Sequence, residues 1–233
     1  ASAQNRTARL QDISIRHDVF SKAASFAQQN PGTKVGANMV FKELLPEYWG
    51  ISLSQIDVFV DDVRWAFAKK QLKNKSTEDC AFLSVPHYDQ EKFERLGPNM
   101  YVVNTEFVKP QTEQPDQQYG LPYLSYSVML NSATAGLWCD LFISHAWAEP
   151  IFEFFNSLRK AWPHGCNGAY VCCLSNPQHL DISQMVANPK TSPFYCVLQF
   201  CRPKVVMLEN SEQPIHGRLW CVYEAFTAFN LRL

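Results

Sequence analysis

Apolar residues recur at helical spacing through the first 75 residues and then, past Asp140, fall into short runs separated by polar turns. The N-terminal part therefore predicts helices. From Asp18 to Gln28 the residues Val19, Ala23, Ala24 and Ala27 share one side, and Asn30-Pro31-Gly32 is a stop signal. A second helix is predicted from Val35 to Leu45, where Pro46 interrupts it. In a third, Ser54 is the candidate N-cap, and Ile56, Phe59, Val60, Val63 and Phe67 keep the i, i+3, i+4, i+7 rhythm of a buried stripe. Asp57, Asp61 and Asp62 fall opposite that stripe and read as a solvated acidic face rather than a cation site. Residues 74–99 are polar and turn-rich. Tyr101 to Val108 is β-rich and predicts a strand ending at Pro110, and Tyr123 to Leu130 predicts another short strand. Gln111 to Tyr119, between them, has the composition of an exposed linker. The resulting division is a mostly helical region over 1–110, a linker or edge-strand segment over 111–135 and an α/β domain over 136–233.

In that last region apolar runs alternate with helical stripes, the signature of a parallel sheet wrapped by helices. Leu141, Phe142 and Ile143 form the first expected strand, Ala169 to Leu174 the second and Lys204 to Leu208 the third. A helix opened by Pro150 carries the stripe Ile151, Phe154, Phe155 and Leu158 and stops at Pro163 and Gly165; a final helix runs from Arg218 to Phe229. Open α/β sheets bind ligands beyond the carboxyl ends of their strands. That rule selects Ser144 to Trp147, Ser175 to Asp181 and Glu209 to Trp220. Trp147, Trp220 or Tyr223 could stack on a flat ring there, and carboxylates could hold ribose hydroxyls.

Composition narrows the classes. With 46% hydrophobic residues, the 233-residue chain has the material for a large core. Its net charge of -1 leaves no electrostatic footprint for nucleic acid or an anionic membrane. No apolar run reaches the roughly 18 to 20 residues of a membrane span, and Gln4, Asn5 and Arg6 do not read as a signal peptide, so a soluble, cytoplasmic protein is expected. The eight cysteines lie mostly in apolar runs, with Cys172 and Cys173 expected on opposite faces of a strand, which suits reduced, buried thiols. There is no CxxC or HxxxH pair, and zinc would need scattered ligands such as His164 and Cys166, so no metal is expected.

Two motifs carry a resemblance. Asp140-Leu141-Phe142-Ile143-Ser144-His145 resembles the first strand of TIR (Toll/interleukin-receptor type) domains, commonly D-x-F-[IL]-S-[HYF]. Arg218-Leu219-Trp220-Cys221-Val222-Tyr223-Glu224 is similar to the W-C-x-x-E motif on a later helix of that fold. The order of elements between them also fits, and the chain is similar to TIR-like proteins of unicellular eukaryotes that combine a Ser-His-x-Trp strand end with an Arg-x-Trp-Cys-x-x-Glu helix. The resemblance implies a flavodoxin-like α/β fold, and in enzymatic members cleavage of the nicotinamide-ribose bond of NAD, with NAD as substrate and no resident cofactor. Glu224 matches the essential glutamate; Ser144, His145, Trp147 and Trp220 are the accompanying substrate-binding candidates. The alternative it implies is a non-enzymatic signalling or scaffold module that forms homo-oligomers through TIR-type contacts. Family members continue past the W-C-x-x-E helix with further strands. The sheet is therefore expected to be incomplete at Leu233 unless the strands expected at 101–108 and 123–130 complete it.

Each site residue has a plainer reading beside the functional one. Trp220 and Glu224, four apart on a helix, share a face, whereas Cys221 lies about 100° round and reads as packing rather than as a nucleophile. His145 could reach bound phosphate or ribose, or hydrogen-bond a neighbouring loop. Glu149 reads as a carboxylate at a helix N-terminus and Asp140 as a structural anchor. Gln178, His179 and Asp181 occupy the loop that in TIR domains governs self-association and access to the site.

Overall fold

The computed structural model describes residues 3–82, 87–210 and 214–233, with side chains from Gln11 onward except that of Phe82. Helix α1 (Ala3–Gln29) is longer than its apolar stripe and ends at the expected stop. Helix α2 (Val35–Glu43) crosses it closely, and Phe20 and Ala23 share an apolar cluster with Ala37, Val40 and Phe41. Gly36 permits the crossing, because a Cβ there would lie 3.1 Å from the Ala23 carbonyl oxygen. Helix α3 (Leu53–Ala68) starts at Ser52 rather than Ser54: the Ser52 hydroxyl accepts from the Gln55 N–H while the Gln55 side chain accepts from the Ser52 N–H. Its stripe buries Ile56, Phe59, Val60 and Val63 as the spacing requires. Of the three aspartates opposite, Asp57 pairs with Arg159 at 2.5 Å and Asp61 with Arg64 at 2.9 Å. Two short helices follow, α4 (Thr77–Phe82) and α5 (Gln90–Leu96).

Both strands expected in the middle of the chain are helices. Helix α6 (Met100–Val103) runs through a π turn (Asn104–Val108) into α7 (Lys109–Thr112). The Asn99 side chain caps its start by accepting from the Val102 N–H, and Met100, Val103 and Val108 enter the core. Burial on one helical face outweighs the β preference of Tyr101-Val102-Val103. Pro110 does not end the segment; it stands second in α7, one residue removed from the π turn, where the widened ladder tolerates a residue without an N–H. Likewise 123–130 holds helix α8 (Tyr126–Leu130), capped by the Ser125 hydroxyl. Neither segment completes the sheet.

The sheet has three parallel strands in the order β2-β1-β3: β1 (Leu141–Ser144), β2 (Ala169–Val171) and β3 (Lys204–Met207). Ile143 stands opposite Val171 on one side and Val206 on the other. Helix α9 (Ile151–Ala161) connects β1 to β2. The second strand stops at Val171, three residues short of its expected end, and turns into α10 (Cys172–Ser175). Then come α11 (Ile182–Val186), α12 (Pro193–Cys196) with a π turn (Val197–Cys201), and, after β3, α13 (Leu219–Leu231).

Alternation along the strands sends side chains to two cores. Leu141, Ile143, Ala169 and Val171 pack with Ile56, Phe59 and Val63 of α3, Met100, Tyr126, and Phe154 and Phe155 of α9. Phe142 and Tyr170, stacked at 5.3 Å, face the α1–α2 cluster together with Phe194, Val197 and Leu198. The molecule is therefore a mixed α/β structure in which helices from the first half of the chain cover the sheet of the second half. Among the described residues no strand pairs with the outer edge of β3, and none of their helices is long and apolar enough to cross a membrane.

Candidate functional site

Because the three strands are parallel, their carboxyl ends gather the loops after β1 and β2 and the start of α13 at one edge. Asp140 fixes the opposite end, accepting from the backbone N–H groups of Asn167 and Gly168, so it is an anchor as expected. At the carboxyl edge lies a cavity of about 190 Å³. Its walls include His145, Trp147, Trp220 and Glu224, all expected, Asn176 and Arg218 from the two other loops that the strand-end rule selects, and Cys172 and Phe194, to which the sequence assigns no site role. Part of the Glu209 to Trp220 loop, residues 211–213, lies outside the described residues.

Glu224 is 5% exposed and opens into this cavity. Ser144 does not line it; its hydroxyl stands behind the carboxylate and donates to Oε2 at 2.5 Å. Burial pushes the Glu224 carboxyl up to about 7, against the opposing pull of the Ser144 hydrogen bond and the positive His145 and Arg218. Trp220 shares the face of Glu224, as their spacing of four requires, and stacks on Phe194 at 5.2 Å. Cys221, one position on, also reaches the wall. Its thiol donates to the His145 carbonyl at 3.4 Å and is pushed up by burial, so packing is its role. The Arg218 guanidinium donates to the same carbonyl at 3.3 Å, tying the start of α13 to the end of β1.

His145 is fully enclosed, stacked on Phe154 at 4.4 Å. Its Nδ1 stands 3.3 Å from Glu149 Oε1 and its Nε2 3.5 Å from Cys172 Sγ. Glu149 stands just before the Pro150 cap of α9, at the helix N-terminus as expected, but it is 1% exposed and turned inward onto the imidazole. Cys172 does not continue a strand. The early end of β2 swings it to the cavity, while Cys173 stays buried in the core. Of the loop after β2, Gln178 reaches the cavity, whereas His179 contacts the Lys109 carbonyl at 2.9 Å and Asp181 caps α11. The one sequence signal for the enclosed group was the spacing of four between His145 and Glu149. Nothing in the pattern marked where β2 would stop.

Among the described residues no three His, Cys, Asp or Glu side chains gather closely enough to hold a metal ion. In comparisons with known proteins the chain matches no family model, no curated protein and no solved structure.

Proposed function

We propose that this chain is a TIR-like, flavodoxin-like module whose cavity binds NAD and hydrolyses its nicotinamide-ribose bond, with Glu224 as the essential carboxylate. The observation that carries the reading is the placement of Glu224: a buried carboxylate, braced by Ser144, opening into a cavity walled by Trp147 and Trp220. The strand order β2-β1-β3 agrees with the first three strands of a flavodoxin-like sheet. The cavity is smaller than the roughly 300 to 1,000 Å³ of sites that enclose a drug-sized ligand. It therefore suits the nicotinamide-ribose end, with the rest of the dinucleotide outside.

The chemistry fits the charges present. Nicotinamide in NAD is cationic and leaves as a neutral base, taking the electron pair of the C–N bond, so no general acid is needed. The ribose develops oxocarbenium character, which an ionised carboxylate stabilises; water then adds to the sugar and gives up a proton. A carboxyl poised near 7 ionises readily when a cationic ring enters beside it. The Trp220 and Trp147 faces offer that ring a stacking surface. The test is nicotinamide release by the purified protein beside Glu224→Gln, with the fold of each checked by circular dichroism. Release by the parent and its loss in the variant support the reading; equal release by both moves the chemistry away from Glu224.

A second reading, a non-enzymatic module that self-associates, is favoured by one surface. On the outer face of α13, Leu219 is 83%, Phe226 63% and Phe229 81% exposed, beside the open edge of β3. Such an apolar stripe is a common site of association. If it mediates self-association, Phe226→Lys together with Phe229→Lys lowers the sedimentation coefficient to that of a monomer. A parent that is already monomeric at high concentration removes this reading.

A further inference from the structure

The enclosed group at Cys172 is not used by the proposed glycosidic chemistry, and its geometry is that of an activated thiol. Two ring nitrogens converge on one sulfur: Trp147 Nε1 donates to Cys172 Sγ at 3.2 Å, and His145 Nε2 stands 3.5 Å from the same atom. The indole is a donor only, so the sulfur accepts. On the far side of the imidazole, Glu149 Oε1 lies 3.3 Å from Nδ1, a buried charge contact without hydrogen-bond alignment that favours the protonated ring. The remaining proton is shared between Sγ and Nε2. A buried carboxylate beside the ring and an indole N–H on the sulfur both favour placing it on nitrogen.

We propose that Cys172, His145 and Glu149 form a nucleophilic thiolate-imidazolium site that adds small α,β-unsaturated carbonyl compounds entering the cavity. The Cys172 sulfur bonds to the β-carbon, the C=C electron pair moves toward the carbonyl as an enolate, and the His145 Nε2 proton passes to the α-carbon. No atom leaves and no oxidant is required. The cavity walls Ile182, Val186, Phe194, Trp147 and Trp220 suit a flat or apolar acceptor. Glu149 acts through His145 and is a positioning residue.

The electrostatics agree with this geometry. Burial opposes the charged thiolate, but the His145 charge, the His145 hydrogen bond and Arg218 outweigh it and lower the Cys172 thiol, while Glu224 acts in the opposite direction. Burial likewise opposes the imidazolium, and Cys172, Cys173 and Glu149 together raise His145 well above its ordinary value. Tyr170, from β2, is held neutral by burial. The charged and titratable neighbours are thus Glu149 before α9, Arg218 and Glu224 at α13, and Cys173 and Tyr170 beside β2.

The probe is N-ethylmaleimide, a flat conjugate acceptor, applied to the native protein from pH 5 to 9 with the modified cysteine identified by peptide mass. Cys172 is expected to react before Cys166, Cys196 and Cys201, the other half-buried cysteines. At pH 6 its rate should exceed that of glutathione by at least about tenfold, because an ordinary thiol with a pKa near 8.5 is almost wholly protonated there. His145→Gln should move the pH profile up toward that ordinary value, and Glu149→Gln should move it part of the way. The parent profile stands independently of how the variants fold. A parent Cys172 that stays unmodified, or that follows the profile of glutathione, overturns the proposal.

Discussion

Glu224 illustrates how a buried carboxyl in a cavity wall trades against stability. The folded protein holds its proton up to about 7 instead of the ordinary 4.5. Between those values the folded state binds more protons than the unfolded chain, so stability falls as pH rises through the window and stays lower above it. The difference corresponds to up to about 3 kcal/mol. Glu224→Gln keeps an acceptor for Ser144 and removes the charge. Urea unfolding should find it more stable than the parent at pH 8 and equal to it at pH 4; a variant less stable at pH 8 would mean that the carboxylate is better solvated than its burial indicates. Ser144→Ala is the converse case. It strips the ionised carboxylate of its donor, so the loss should be about 1.5 to 3 kcal/mol at pH 8 and smaller at pH 5, where the carboxyl is neutral.

At the scale of elements, side chains that close a turn or fill a core decide what forms. Asn99→Ala removes the cap of α6 and should cost about 1 kcal/mol in urea unfolding. Phe59→Ala, which empties the junction where that ring meets Phe107, Tyr126 and Phe155, should cost about 3 to 5 kcal/mol. The legible elements were those with a full periodic stripe. The stripes of α3 and α9, with Ile56 to Val63 and Ile151 to Leu158, are buried as their spacing required. The first and third strands lie within a residue of their expected bounds. Segments with apolar residues but no clear period were not legible: Tyr101 to Val108 is helical because Met100, Val103 and Val108 all reach the α3 core. In the candidate site, Glu224 was expected from the motif resemblance alone, Trp220 followed from its spacing of four to Glu224 on α13, and His145 and Trp147 from their place at the end of β1. Cys172 was not, because its position depends on β2 ending after three residues.

For the molecule as a whole, the sheet depends on distant parts of the chain. One face of β1 and β2 is covered by Ile56, Phe59, Val63 and Met100, and the other faces the cluster that includes Phe20 and Val40. Residues 136–233 alone would keep only the cover of α9 on one face and of Phe194, Val197 and Leu198 on the other, at a cost of about 1.5 to 3 kcal/mol for each large side chain left uncovered. That segment should show no cooperative thermal transition by circular dichroism while the whole chain does; a sharp transition in the isolated segment would mean that the N-terminal helices are an addition to a self-sufficient sheet. Within that segment the cavity in turn depends on a helix that does not line it, since α9 carries the Phe154 ring on which His145 rests.

The most direct test of the central claim is the rate of nicotinamide release from NAD between pH 5 and 9. With a buried Glu224 that must be ionised to act, kcat/KM should rise through a limb near 7, and the kcat limb should lie lower because the bound cationic ring favours the carboxylate. Glu224→Gln should abolish both. No release at any pH, or release with its limb near 4.5, would contradict the assignment of Glu224 as the poised carboxylate of this cavity.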